Sequence, residues 1–372
     1  MLDNSLVDFV MKLTQYKNML SHQALLQEQL QKDYVDFDNA MGKGTGYFRQ
    51  IEKYKGQNLK SFQFFKTLYE KNHFLNVELQ DNPKIPQIIH QIWIGNRPIP
   101  SKLQEYQKTW REQHPNWEYK MWTNKEVKNY TFVNEELKFL FDQALTLGER
   151  VDVLRYDILY QYGGIYADCD CICLKPLDVF VYCYDFFAGM FPPMFATMET
   201  AVFLQNCMIG AKPQHPIIKR LASLLVQNWD NLEYEDDEFY TTIKRTFYGL
   251  TLASLSEAEK DNNIDIFMPP PYFSPITTYP VFDMMIRGFK DTILGLFNKE
   301  LAPYSSFKDY SFAHHYSTKE WVKDIYSTIT FKHTGWTLFN LKDWVLFLRA
   351  KLQRKSGQKQ IVRQTFEELI PR

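Results

Sequence analysis

The chain has 372 residues, of which 45% are hydrophobic and 16% aromatic, so it can bury a substantial core. Its 43 Lys and Arg residues balance 44 Asp and Glu residues, and a formal net charge of −1 excludes the overall basic field with which many proteins recruit nucleic acid. Five cysteines, three of them within one short stretch, favour a reducing compartment over a disulfide scaffold.

Residues 1–80 are predicted to form a helical appendage, because apolar residues such as Leu6, Phe9 and Leu13 recur there at helical intervals. The start of the chain lacks the basic segment and apolar run of a secretory signal. No apolar window of about 18 residues, the length that suggests a membrane-spanning helix, occurs in the sequence. We therefore expect a cytoplasmic protein.

A proline-marked boundary at residues 81–86 precedes the main domain, which is predicted to cover 81–330. The apolar run 87–95 predicts a buried strand, 101–115 predicts a helix that ends before a proline, and 117–123 predicts a second strand. Strand, helix and strand in this order are typical of an α/β layer.

Residues 148–162 predict a helix with one apolar stripe, and Asp152 and Arg155 lie three positions apart on a neighbouring face. Gly163 and Gly164 end this helix and permit a sharp reversal into the next strand. The helix and that strand are therefore expected to lie close together.

The segment after these glycines reads IYADCDCIC and predicts one strand, in which alternate side chains share a face. Asp168 and Asp170 would then point one way, and Cys169, Cys171 and Cys173 the other. Three alternating cysteines on one strand cannot easily wrap a tetrahedral zinc ion, so we expect them to face a core. The two carboxylates predict a site for Mn2+ or Mg2+ that also engages a diphosphate. Two exposed acids without a ligand remain the alternative interpretation.

Three runs carry a resemblance to a known family: IHQIWIG (89–95), RVDVLRYDILYQYGGIYADCD (150–170) and NCMIGAKPQHPIIKRL (206–221). In this order they resemble glycosyltransferase family 32, which is related to the glucosyltransferase domains of large clostridial toxins. The resemblance covers roughly residues 83–322. It implies an α/β fold of the GT-A type, a Rossmann-like sheet flanked by helices.

The same resemblance implies a retaining transfer of a hexose-type sugar from a UDP- or GDP-sugar. The acceptor would be a glycan, as in polysaccharide biosynthesis, a lipid, or a protein. On matching positions, Asp168 and Asp170 take the metal role, and Asp152 and Arg155 hold the donor sugar. Trp93 matches the aromatic residue that stacks on the nucleotide base. The residues expected to bind the donor are Trp93, Ile94, Asp152, Arg155, Tyr166 and Asp168, and the catalytic set is Asp152, Arg155, Asp168 and Asp170.

A third metal ligand of this family is usually a histidine shortly before Ser-Trp. This chain offers His314 or His315 before Trp321, with Glu320 in the serine position, and the spacing does not choose between the histidines. Residues 245–251, RTFYGLT, replace the usual T-G-P, which weakens any statement about the acceptor.

The last region, 331–372, is predicted to hold amphipathic helices and a tail. Residues 336–355 combine an apolar face with a basic end. This pattern favours either packing against the main domain or peripheral contact with the cytosolic face of a membrane.

Two other classes of function are open. A catalytically silent relative would bind a nucleotide sugar without turnover. A D-x-D phosphohydrolase would use Asp168 as its nucleophile, but such enzymes normally carry Thr or Val where this chain has Ile172.

Overall fold

The computed structural model describes residues 24–44, 48, 51–52, 54–144, 146–191, 202–229, 248–276 and 306–318. Three predictions lie wholly outside these residues: the first helical pattern, at residues 6–13, the segment 336–355, and the positions of Glu320 and Trp321.

The architecture is a central six-stranded sheet flanked by helices. Its strands are β1 (Ile88–Trp93), β2 (Glu118–Thr123), β3 (Gly164–Ala167), β5 (Phe186–Met190), β6 (Leu204–Ala211) and β7 (Asp265–Met268). They lie in the order β2-β1-β3-β6-β5-β7. Neighbours pair in parallel except at β6, which is antiparallel to both β3 and β5. The predicted α/β class with a mainly parallel sheet flanked by helices is confirmed.

Helices connect these strands and cover the sheet. Residues 24–33 are helical, and the labelled helices are α1 (Phe37–Ala40), α2 (Gly56–Asn72), α3 (Ser101–Gln113), α4 (Asn124–Lys128), α5 (Glu135–Gln143), α6 (Leu147–Tyr162), α7 (Asp178–Cys183), α8 (Pro216–Asn228) and α9 (Tyr248–Glu257). The predictions of β1, α3, β2 and α6 are confirmed to within two residues at each end. No helix within the described ranges has both the length and the apolar character needed to cross a bilayer.

The ends of α6 follow from its sequence. Thr146 and Glu149 form a capping box, in which each side chain satisfies a backbone N–H of the other residue. Gly163 ends the helix with φ of 63° and ψ of −155°, a conformation that glycine adopts without strain. This helix therefore begins and ends at positions that local chemistry specifies, and it leads directly into β3.

The prediction of one continuous strand through the D-x-D segment is wrong. β3 ends at Ala167, and the segment Asp168–Asp170 forms a turn whose Asp168 carbonyl accepts a hydrogen bond from the backbone N–H of Cys171 (3.0 Å). Aspartate favours turns because its short side chain competes for backbone hydrogen bonds. The next strand, β4 (Cys171–Cys173), leaves the central sheet and pairs with β8 (Ala313–His315) in a separate antiparallel ribbon.

The described part of the predicted appendage packs into the same core as the sheet. Phe65 of α2 contacts Phe267 of β7, with ring centroids 4.8 Å apart. The hydroxyls of Tyr69 and Tyr272 lie 2.9 Å apart and are fully buried. The N-terminal helices therefore support the side of the sheet formed by β5 and β7.

Candidate active site

The D-x-D turn lies at the carboxyl end of β3, beside the carboxyl end of the parallel strand β1. In open α/β sheets, ligands bind in the crevice outside the carboxyl ends of the strands. Trp93, the last residue of β1, ends at this same edge. The topology therefore brings two of the sequence motifs together.

Asp168 is held through both its side chain and its backbone. The hydroxyl of Tyr166 donates a hydrogen bond to Asp168 Oδ1 (2.6 Å), and Arg155 Nη2 lies 3.2 Å from the same oxygen. Its backbone carbonyl accepts from Gln91 Nε2 (3.1 Å), and its backbone N–H donates to the carbonyl of Cys207 (2.8 Å). The carboxylate is therefore oriented before any ligand arrives.

Arg155 is 4% exposed and joins the helix α6 to the D-x-D turn. Its Nη2 lies 2.5 Å from Asp152 Oδ1, its Nη1 donates to the carbonyl of Asn206 (2.5 Å), and its guanidinium stacks on Tyr166 at 4.3 Å from the ring centroid. Burial would lower the pKa of Arg155, but the carboxylates of Asp152 and Asp168 raise it well above its ordinary value. A permanent positive charge therefore lies between the buried Asp152 and the partly exposed Asp168.

The second carboxylate, Asp170, is held by the chain around β8. His315 Nε2 lies 3.0 Å from Asp170 Oδ1, and the backbone N–H and hydroxyl of Thr318 both donate to Oδ2, at 2.7 and 3.1 Å. Burial would raise the pKa of Asp170, but the charge of His315 and these hydrogen bonds lower it to about 2. Asp170 is thus ionised throughout the physiological range.

The structure distinguishes the two histidines that the spacing left open. His315 faces both carboxylates, because its Nε2 lies 3.0 Å from Asp170 Oδ1 and 3.7 Å from Asp168 Oδ2. His314 pairs with Ile172 across the ribbon, and its buried ring packs against Phe307 and Tyr316. Burial lowers the pKa of His314 to about 4, so this imidazole stays neutral.

Trp93 and Ile94 occupy different environments. Trp93 is partly buried in a small cluster formed by Leu103, Tyr106 and Cys169, and its Nε1 donates to the carbonyl of Arg97 (2.8 Å). Ile94 packs against the main core. An aromatic side chain therefore lies next to the D-x-D turn, as the resemblance implied, and its contact with a nucleotide base stays a prediction.

The residues at this corner fit a divalent cation. Asp168 and Asp170 offer hard carboxylate oxygens, which suit Mg2+ and Mn2+, and His315 adds one imidazole nitrogen. Burial would lower the pKa of His315, but Asp170 and Cys207 raise it well above its ordinary value. The imidazole is therefore a hydrogen-bond donor in the metal-free protein and releases that proton when it becomes a ligand.

Sequence analysis missed Gln91, Asn206 and Thr318. A signal existed for Gln91, since a polar residue inside a buried strand must find a hydrogen-bond partner. Its Oε1 accepts from the hydroxyl of Tyr119, while its Nε2 holds the D-x-D turn. Thr318 carries no sequence signal, because its partner is 148 residues away in the chain.

Part of the chain is similar in sequence to known glycosyltransferases. Residues 100–187 match the family model described as "Glycosyltransferase sugar-binding region containing DXD motif". An uncharacterized glycosyltransferase of Acanthamoeba polyphaga mimivirus is 33% identical over 136 residues, which cover 36% of this chain and 52% of that protein. Inositol phosphoceramide mannosyltransferase 2 of Schizosaccharomyces pombe is 29% identical over 184 residues, 49% of each chain.

The match spans about half the length of these relatives. Among solved structures, the PaToxG glycosyltransferase is similar with a TM-score of 0.41 and 16% identity, covering 70% of this chain and 92% of that one.

Proposed function

We propose that this chain, which carries the DXD-containing sugar-binding region of glycosyltransferases, transfers a hexose-type sugar from a nucleotide-diphosphate donor to an acceptor hydroxyl. The transfer retains the anomeric configuration. The observation that carries the proposal is the convergence of Asp168, Asp170 and His315 at the carboxyl end of β3. A bound Mn2+ or Mg2+ would neutralise the diphosphate and stabilise the charge that develops as it leaves.

The protein side chains have separate tasks in this proposal. Arg155 orients Asp152 and Asp168 by direct ion pairs, and Tyr166 fixes one oxygen of Asp168. Asp152 and Arg155 then offer hydrogen bonds to the hydroxyls of the donor sugar, and Trp93 offers a face to its base. Each group is pre-positioned, so little reorganisation is needed when the donor binds.

Retention without a covalent intermediate is supported by the state of Asp152. Its Oδ1 is ion-paired with Arg155 at 2.5 Å, and this charge pairing makes the carboxylate a weaker nucleophile. We propose that the acceptor hydroxyl enters on the face from which the diphosphate leaves, and that the leaving oxygen takes the proton. Isolation of a sugar adduct on Asp152 from the working enzyme would contradict this mechanism.

The acceptor is proposed from the names of relatives. One of them is named for mannosyl transfer to inositol phosphoceramide. This favours a mannose donor and a lipid hydroxyl among the glycan, lipid and protein acceptors considered. We also propose a cytoplasmic location with peripheral membrane contact through residues 336–355, on the basis of their basic amphipathic pattern.

The test is donor turnover by the purified full chain. UDP-, GDP-, CMP- and dTDP-sugars are incubated with and without Mn2+, and the released nucleotide is separated by chromatography. One donor should be slowly hydrolysed in the presence of Mn2+, and Asp170→Asn should abolish the reaction. Asp142→Asn is the matched control, since this carboxylate lies on the exposed face of α5 and pairs only with Lys138 among the described residues. It should keep the native rate.

The outcomes separate the three functions. Thermal stabilisation by a nucleotide sugar without release of nucleotide would indicate a silent relative. Cleavage of a UDP- or GDP-hexose to the nucleoside monophosphate and hexose 1-phosphate, in place of the nucleoside diphosphate and free hexose, would indicate a phosphohydrolase. Turnover that persists in Asp170→Asn would overturn the assignment of the site.

A further inference from the structure

The D-x-D turn lies against the buried cysteines Cys171 and Cys207 and the imidazole of His315. In the ribbon formed by β4 and β8, Cys171 is paired directly with His315. One ligand atom from each of Asp170, Cys171 and His315 lies within 4.8 Å of the other two. Cys171 is 1% exposed, whereas the His315 and Asp170 side chains are 20% and 13% exposed. Solvent therefore reaches the cluster from the side of His315 and Asp170.

This donor set differs from the one that a hard cation requires. Mg2+ and Mn2+ prefer carboxylate oxygens, which Asp168 and Asp170 provide, and they gain little from a thiol. Zn2+ and similar thiophilic ions prefer sulfur and nitrogen and accept one carboxylate in a tetrahedral shell. Cys171, His315 and Asp170 offer one ligand of each kind.

We propose that this corner binds a thiophilic divalent cation of the Zn2+ class through Asp170, Cys171 and His315, leaving its fourth position open towards Asp168. Asp170 and His315 are then ligands both of the thiophilic cation and of Mn2+ or Mg2+. The two kinds of cation therefore exclude each other. Binding of the soft cation is independent of the proposed transferase activity. The consequence, inhibition by displacement of Mn2+ or Mg2+, rests on the proposed function.

The geometry permits this coordination after a small movement. Bonds of about 2.0 to 2.3 Å hold the ligand atoms of a tetrahedral zinc roughly 3.3 to 3.8 Å apart, so the cluster must close by about 1 Å. The Cys171 Sγ–H bond and the His315 Nε2–H bond break as the sulfur–metal and nitrogen–metal bonds form, and both protons pass to solvent. The thiol gives up weak contacts with Cys207, whose carbonyl oxygen lies 3.7 Å from Sγ and whose thiol also interacts with it.

Neighbouring cysteines are placed differently and serve as controls. Cys173 lies on the same strand and is also buried, but it pairs with Ala313, and its Sγ donates to the carbonyl of Lys175 (3.1 Å). Cys169 belongs to the cluster beside Trp93. Cys173→Ser therefore reproduces the chemical change of Cys171→Ser on the same ribbon without removing a proposed ligand.

The experiment uses the metal-free full chain and Co2+ as a coloured probe for the Zn2+ site. The native protein and Cys173→Ser should develop a thiolate-to-cobalt charge-transfer band that saturates at one ion per chain. Cys171→Ser should lack this band and should bind Zn2+ at least about tenfold more weakly in calorimetric titration. A band that persists in Cys171→Ser, or equal losses in the two variants, would overturn the proposal.

Two further measurements keep the result independent of folding and of the proposed function. X-ray absorption of the native chain loaded with Zn2+ should show one sulfur at about 2.3 Å, and a shell of only nitrogen and oxygen would refute the site even if Cys171→Ser cannot fold. Paramagnetic resonance of Mn2+ tests the hard-cation site separately. Cobalt binding without Mn2+ binding would retain this proposal and reject the metal-dependent transferase.

Discussion

Asp170 illustrates how much of the site depends on single residues. One of its oxygens faces His315 and the other accepts two hydrogen bonds from Thr318, so both oxygens are held before a cation binds. Asp168 is held in the same way by Tyr166 and Arg155. Because Tyr166 and Arg155 hold Asp168 and Thr318 holds Asp170, substitutions of these residues should leave the other carboxylate in place, whereas His315 faces both.

Gln91 offers a direct test of this positioning. Gln91→Leu removes the donor to the Asp168 carbonyl and leaves the Tyr119 hydroxyl without its acceptor, which should cost about 1–3 kcal/mol of unfolding free energy. It should also weaken binding of Mn2+, measured by paramagnetic resonance. Tyr119→Phe, which retains the bond to Asp168, should lose stability but keep the affinity for Mn2+. Equal affinities in both variants would show that Gln91 does not position the turn.

Arg155 should be the most costly side chain of the site to remove. Arg155→Met leaves the buried Asp152 and the partly exposed Asp168 without their shared cation, and loss of one partner from a buried network costs roughly 3–5 kcal/mol. Arg111→Met is the control, because the exposed Arg111 makes a single cation–π contact with Tyr119 worth about 0.5–1 kcal/mol. Urea unfolding followed by circular dichroism measures both, and a similar loss in the two variants would contradict the network.

At the scale of elements, the junction between α6 and β3 determines where the D-x-D turn lies. Gly164 has φ of 93°, and a Cβ at this position would lie 2.6 Å from the carbonyl oxygen of Ile88 on β1. The neighbouring His90 is buried in β1, where its Nε2 lies 3.0 Å from the carbonyl oxygen of Gly163 and its Nδ1 accepts from Trp122 Nε1 (3.1 Å). The end of α6 therefore packs directly against β1, the strand that carries Trp93.

Gly164→Ala should consequently destabilise the protein by about 3 kcal/mol or more, since the clash is with backbone and cannot be relieved by side-chain rotation. Gly56→Ala is the matched control. Gly56 has φ of 54°, and a Cβ there would meet nothing within 4 Å, so only the backbone strain of roughly 1–2 kcal/mol applies. Thermal unfolding of both variants gives the comparison, and equal midpoints would disprove the close approach.

At the scale of the whole molecule, the core contains histidines that fold in the neutral state. Burial lowers the pKa of His90 to about 3 and also lowers the pKa of His114. His114 Nε2 accepts from the backbone N–H of Leu177, and His90 lies between β1 and the end of α6. Protonation of either ring in the folded state would place a charge among buried groups, so the folded chain resists it.

This arrangement predicts a loss of stability in mild acid. Below the ordinary histidine pKa of about 6.5, His90 and His114 are protonated in the unfolded chain but stay neutral in the folded chain. The unfolded state therefore binds more protons, and the free energy of unfolding falls as the pH falls. Two such histidines contribute a slope of up to about 2.7 kcal/mol per pH unit. Urea titrations between about pH 7 and pH 5 measure this slope, and His90→Gln should reduce it by about one proton. A stability that is flat over this interval would exclude neutral burial.

The amino-acid sequence by itself determined the elements that depend on local chemistry. The apolar run of β1, the capped and glycine-terminated α6, and the spacing of Asp152, Arg155, Asp168 and Asp170 were all readable, because periodicity and capping involve residues only a few positions apart.

Tertiary structure alone decided the rest. It replaced a predicted continuous strand with a turn at Asp168–Asp170, placed His315 rather than His314 beside the carboxylates, and recruited Gln91 and Thr318 as their supports. The physical reason is the pairing of β4 with β8, because a shift of one residue in that register would exchange the two histidines between faces. No local pattern encodes a register between strands about 140 residues apart.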